Sequence, residues 1–80
     1  MYEILFSDTA SKQFYKLEKS LQGRIISLLE RIRIKPEVYV TKLVGDPAYK
    51  LRVGDYRLLL DIDRGKLIIL VIKIGHRKNI

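Results

Sequence analysis

The sequence predicts an α+β domain in the order β-α-α-β-β-β, with a helical hairpin packed on one face of a mainly antiparallel four-stranded sheet. Three observations lead there. Apolar residues recur at helical spacing as far as Ile32, then alternate from Tyr49 onward. Pro36, Gly45 and Asp46-Pro47 crowd the stretch between, residues 36–48, which reads as a loop. Finally, Gly54-Asp55 separates two alternating runs, the signal of a type II′ hairpin with glycine first.

The elements follow in order. Residues 2–6 are short and rich in β-formers, and Ser7-Asp8 behind them suits a helix cap. Ala10, Phe14, Leu17 and Leu21 then lie at helical spacing, with Lys12, Lys16, Glu18 and Lys19 between them. Ser20 and Gly23 predict a break or tight turn near that point. Leu21, Ile25, Leu28, Leu29 and Ile32 form the stripe of a second helix. It should stop before Pro36, which disfavours helical backbone at Lys35 and has no amide to donate. Two amphipathic helices with a short connection predict an antiparallel hairpin. Beyond the loop, residues 49–53 and 56–62 are the hairpin strands, and Asp63, Arg64, Gly65 and Lys66 make a further turn. The last run, residues 67–74, is apolar on both faces until Lys73 and should lie centrally in the sheet. Gly75 ends it, leaving His76, Arg77 and Lys78 as a basic tail.

Size and composition bound the function. Eighty residues suffice for one domain, spanning 1–80. With Cys 0 there is no disulfide, thiolate nucleophile or thiolate zinc site. The N-terminus has no signal-peptide pattern and the longest apolar run, residues 67–72, is too short for a bilayer, so a cytoplasmic protein without a membrane partner is expected. A net charge of +7 and a pI near 9.9 imply a polyanionic partner. The charge is uneven: residues 1–47 hold eight Lys/Arg against six Asp/Glu, and residues 48–80 hold eight against three.

Alternation assigns the cations to a face. Leu51, Val53, Leu58 and Leu60 should turn towards the helices, which pushes Lys50, Arg52 and Arg57 to the open face together. Lys73 and Arg77 join them if the strands pair in sequence order. Such a surface suits a phosphodiester and its flanking phosphates. An open sheet face is polar in any case, and edge lysines also discourage aggregation. A single histidine excludes paired-histidine catalysis and a histidine metal cluster. Asp61 and Asp63 sit at a strand end and read as turn residues. No metal site and no cofactor are expected, so any RNA cleavage proceeds through lysine and arginine electrostatics.

The ordered motifs Lys42-Leu43-Val44-Gly45, Tyr49-Lys50-Leu51-Arg52, Gly54-Asp55-Tyr56-Arg57 and Ile74-Gly75-His76-Arg77 resemble those of the RelE/ParE toxin superfamily. Residues 6–17 resemble that family's first helix, so the likeness covers nearly the whole chain and agrees with the predicted element order. The resemblance to its RelE branch implies a toxin of a type II toxin–antitoxin system. Such toxins enter the ribosomal A site and cleave messenger RNA there by attack of the ribose 2′-OH on the adjacent phosphate. It implies catalytic roles for four residues. Lys50 and Arg52 promote the attack and stabilise the transition state, Arg57 binds phosphate, and Arg77 stands near the leaving 5′-oxygen. Lys50 is the one whose pKa burial among cations can lower usefully, while Arg52 and Arg57 stay charged and act electrostatically. Lys42, Lys73, His76 and Lys78 are expected to bind RNA; His76, which titrates near neutrality, is a proton-transfer candidate as well as a plain RNA contact. The family often carries a tyrosine shortly after the final arginine. This chain has no aromatic after Tyr56, which implies an end short of that residue or another group in its role.

Two other functions remain open. A ParE-like gyrase inhibitor shares the fold but generally lacks the full basic set. A non-catalytic RNA- or ribosome-binding module fits the absent tyrosine. Expected partners are the ribosome, messenger RNA and a RelB-like antitoxin, whose acidic segments would fold onto a +7 surface. Nothing resembles a helix-turn-helix, so no direct DNA readout by this chain is expected.

Overall fold

The structure is a computed structural model and describes residues 1–76 and Lys78. Strand β1 (Glu3–Phe6) leads into helices α1 (Asp8–Tyr15) and α2 (Lys19–Ile32), and a 3₁₀ turn at Pro36–Val38 follows. Strands β2 (Thr41–Lys42), β3 (Tyr49–Val53), β4 (Tyr56–Asp63) and β5 (Ile68–His76) complete the chain. The sheet runs β1-β5-β4-β3-β2, with β1 parallel to β5 and every other pair antiparallel. The architecture is the expected α+β arrangement with five strands where four were predicted. The extra strand is β2, whose two residues are too few to show an alternating pattern among the turn signals around them.

Ser7 caps α1 as expected, its Oγ accepting from the Ala10 amide at 3.0 Å. The helix break comes earlier than Ser20 or Gly23. It lies at residues 16–18, where Glu18 is extended and the Gln22 side chain donates to the Leu17 carbonyl at 2.9 Å. Gly23 is absorbed into α2. The second helix ends at Ile32, before Pro36, as predicted.

Between helices and sheet lies one core. Phe14, Ile25 and Leu29 from the helices meet Leu51, Leu58, Leu60, Ile69 and Val71 from the strands. Leu51, Val53, Leu58 and Leu60 all face it, as alternation requires. Each such aliphatic side chain contributes about 1.5–3 kcal/mol on full burial. Strand β5 lies inside the sheet between β1 and β4 over residues 68–71, as its two apolar faces predicted, and β4 is the middle strand.

One irregularity decides which way the end of β5 points. Pairing runs from Tyr56↔His76 to Leu59↔Lys73, but Leu60 then faces Val71, so Ile72 is an extra residue in β5. Such a bulge reverses alternation downstream. Ile69 and Val71 are buried before it and Ile74 after it, and Lys73 is thereby turned out instead of into the core. Helix α1 holds the bulge. Ser7 Oγ donates to the Ile72 carbonyl at 2.6 Å, and the Ser7 amide donates to the Val71 carbonyl at 2.9 Å. Gln13 Oε1 accepts from the Ile74 amide at 2.7 Å. These side chains take over polar groups that the disturbed ladder leaves.

The turns match their residues with one exception. Gly54 has φ +58° and Asp55 is not left-handed, as a type II′ hairpin requires. In the β4–β5 turn the left-handed residue is Leu67 (φ 57°), although Gly65 stands two positions before it. Arg64 lies against Tyr49 and then Tyr2, whose oxygens hold its proton more firmly than usual, and it pairs with Glu37 at 3.5 Å. Among the described residues no helix is long and apolar enough to cross a membrane.

Candidate nucleic-acid interface

Strand register builds the cation cluster row by row. Arg52 of β3 faces Arg57 of β4, which faces Gly75 of β5. In the next row Lys50 faces Leu59, which faces Lys73. Residues facing one another in this way have Cβ atoms about 4.5–5.5 Å apart. The neighbours in between, Leu51, Leu58 and Ile74, are buried under the helices, so both rows lie on the open face. Arg52 and Lys73 are exposed, while Lys50, Arg57 and Leu59 are half-buried. Gly75 leaves its corner without a side chain.

The electrostatics oppose stability. Arg52 directly across from Arg57 is a like-charge pair on adjacent strands, which is unfavourable. Among the described residues no ion pair involves Lys50, Arg52 or Lys73. Arg52 is steadied instead by its Nε–H, which donates to the Gly54 carbonyl at 3.4 Å. Repulsive charge collected on a rigid sheet is the arrangement that an incoming phosphate relieves.

Farther along the same face the character changes. Asp61 faces Leu70, which faces Leu5, and Asp63 faces Ile68, which faces Glu3. The cationic surface is thus confined to the hairpin end of the sheet.

Not every sequence candidate joins this group. The structure brings Lys50, Arg52, Arg57 and Lys73 together, the last through the bulge. Lys42 faces Tyr49 on the helix side of the register, its Nζ 5.9 Å from the Tyr49 ring centroid. His76 faces Tyr56, also on the helix side, with the rings edge to face at 5.4 Å. Its Nδ1 accepts from the amide of Lys78, which is exposed. His76 and Lys42 therefore stand across the sheet from the cation cluster. Arg77 lies outside the described residues. Sequence reasoning found Ser7 as a cap but missed its second bond to Ile72, and missed Gln13 altogether. Contacts spanning more than sixty positions carry no local signal.

Comparison with known proteins agrees with this geometry. Residues 4–80 match the family described as ParE toxin of type II toxin-antitoxin system, parDE. A RelE-like toxin protein of Escherichia coli is 31% identical over 98% of this chain and 85% of its own length. The mRNA interferase toxin RelE of Escherichia coli K12 is 29% identical over the same shares. Among solved structures, the toxin–antitoxin complex RelBE2 of Mycobacterium tuberculosis superposes with a TM-score of 0.86 at 23% identity, covering 95% of this chain and 98% of that one. The intact Escherichia coli RelBE complex gives 0.83 at 27% identity, covering 95% and 96%. With fold, strand order and motifs in agreement, this chain belongs to the RelE/ParE family of toxins of type II toxin–antitoxin systems.

Proposed function

We propose that the chain is an mRNA interferase: a metal-independent endoribonuclease that cuts messenger RNA in the ribosomal A site. The observation that carries this reading is the convergence of Lys50, Arg52, Arg57 and Lys73 in two adjacent rows of one sheet face. In the proposed reaction the ribose 2′-oxygen bonds to phosphorus as the P–O5′ bond breaks, leaving a 2′,3′-cyclic phosphate and a 5′-OH. The 2′-OH proton must leave and the 5′-oxygen must gain one. Lys50, half-buried among cations, is assigned to the first transfer and Arg77 to the leaving oxygen. Arg52 and Arg57 stabilise the charge that builds on the non-bridging oxygens, a contribution of about 10²–10³ in rate per well-placed donor. Lys73 holds a flanking phosphate and Lys78 contacts RNA beyond it, whereas Lys42 and His76, across the sheet from the cluster, take no part at the scissile phosphate. The relatives named as mRNA interferases support the activity. Structural relatives solved in complex with RelB support a RelB-like antitoxin as partner.

The test is translation in vitro with added protein, mapping messenger cuts by primer extension, beside Lys50→Ala and Arg57→Ala. Cuts within codons that need ribosomes and vanish in both variants are the expected result. Stalled translation with intact messenger would replace this reading with a non-catalytic ribosome-binding module. The matched family description names ParE, which favours a protein-binding poison of gyrase as second reading. It predicts undisturbed translation and inhibited DNA supercoiling.

A further inference from the structure

A cleft of about 600 Å³ runs between α2 and the tip of the β3–β4 hairpin, outside the open sheet face. Ser20, Arg24, Ser27 and Arg31 line it from the helix, at spacings of four, three and four residues that place them in one stripe. Arg52 and Gly54 line it from the hairpin. No carboxylate lines this cleft, whereas the adjoining hollow beyond Arg24 includes Glu18 and Asp55.

Two guanidinium groups converge on Gly54. Arg52 Nε–H donates to its carbonyl at 3.4 Å. Arg24 lies so close from the other side that a Cβ on Gly54 would sit 3.3 Å from one of its nitrogens. Among the described residues neither Arg24 nor Arg31 has an ion pair or hydrogen bond from its side chain, nor do the hydroxyls of Ser20 and Ser27. Three arginines and two hydroxyls around a concave, acid-free wall match a chain of phosphates. Gly23 adds room, since a Cβ there meets nothing within 4 Å.

We propose that this cleft is a second phosphate-binding track that receives an RNA phosphodiester backbone, with Arg52 joining it to the cation cluster. The inference rests on the reading of the chain as an RNA-directed toxin and adds Arg24 and Arg31 to its RNA contacts. Messenger and ribosomal RNA offer the same backbone, so two probes are needed. One is a 2′-O-methyl messenger oligonucleotide, which cannot be cut, followed by fluorescence anisotropy. The other is messenger-free ribosomes, followed by co-sedimentation. Arg24→Gln/Arg31→Gln is compared with Lys12→Gln/Lys35→Gln, which removes equal charge elsewhere. The cleft pair should weaken binding roughly tenfold or more on at least one probe. Where the oligonucleotide is the probe affected, its salt slope should also fall by about 1.4. The probe affected identifies the RNA source.

Gly23→Glu separates binding from folding. It replaces a mid-helix glycine, which should raise thermal stability, and puts a carboxylate in the cleft, which should weaken binding. Equal weakening by both charge pairs, or unchanged binding in the cleft variants, overturns the track. Wild-type protein that binds through the cleft but leaves ribosome-bound messenger uncut overturns the nuclease reading alone.

Discussion

Strand β5 has two halves that differ on the same face of the same sheet. Upstream of Ile72 it lies between β1 and β4, and its open face carries Ile68 and Leu70 beside Glu3, Asp61 and Asp63. Downstream β1 is gone, only β4 pairs with it, and the open face carries Lys73 beside Lys50, Arg52 and Arg57. One extra residue separates the halves. The upstream half is sheet built for pairing, while the downstream half is a ledge whose stray backbone groups are taken up by Ser7 and Gln13 of the α1 region. The cation cluster thus depends on a bulge and on the helix that holds it, as well as on the strands that carry its side chains.

The largest test of this division is catalytic. Arg57→Gln should lower messenger cutting on ribosomes by about 10²–10³, the loss typical of one transition-state donor. Asp61→Asn with Asp63→Asn, on the upstream half of the face, should leave cutting within a few-fold. Equal losses would mean that the whole face acts as one surface and that the boundary at Ile72 has no functional meaning.

A smaller effect is expected where α1 grips the bulge. Gln13→Leu strands the Ile74 amide in a part-buried position, at a cost of about 1–3 kcal/mol. Ser7→Ala removes both the α1 cap and the donor to Ile72, a loss of about 2 kcal/mol. For a domain of this size each kcal/mol lowers Tm by about 4–8 °C. Thermal melts read the stability, and cutting by the still-folded Gln13→Leu protein reads the site. It should fall several-fold, because Lys73 depends on the bulge for its direction. A variant that melts earlier but cuts normally would show that α1 stabilises the ledge without aiming it.

The regular parts of the molecule were legible, and the bulge was not. Alternation in residues 49–62 put Lys50, Arg52 and Arg57 on one face because Leu51, Val53, Leu58 and Leu60 needed the other. Pairing of the strands in sequence order puts Lys73 on that face too, as found, but the apolar run around Ile72 gives no sign of the inserted residue that turns it there. His76 and Lys42 were candidates through motif position, which does not reveal on which side of the sheet a residue falls. Two paired residues at Thr41 and Lys42 are likewise too little pattern to distinguish a strand from a loop.

The smallest expected effect lies in the turn that starts the upstream half. Leu67 holds φ at 57°, a conformation that costs an L-residue with a side chain roughly 1–2 kcal/mol and glycine almost nothing. The Glu3 amide donates to the Leu67 carbonyl at 2.8 Å, so docking of β1 fixes this backbone shape. At 45% exposure Leu67 loses little packing on truncation, while glycine adds freedom to the unfolded chain. The two opposing terms leave Leu67→Gly more stable by about 0.5–1 kcal/mol, seen as a higher Tm in melts. Because the strain sits before Ile72, cutting by this variant should not change. A drop in stability would mean that the Leu67 side chain contributes more to the edge of the core than its backbone costs. A change in cutting would mean that strain crosses the bulge and that the two halves of β5 move together.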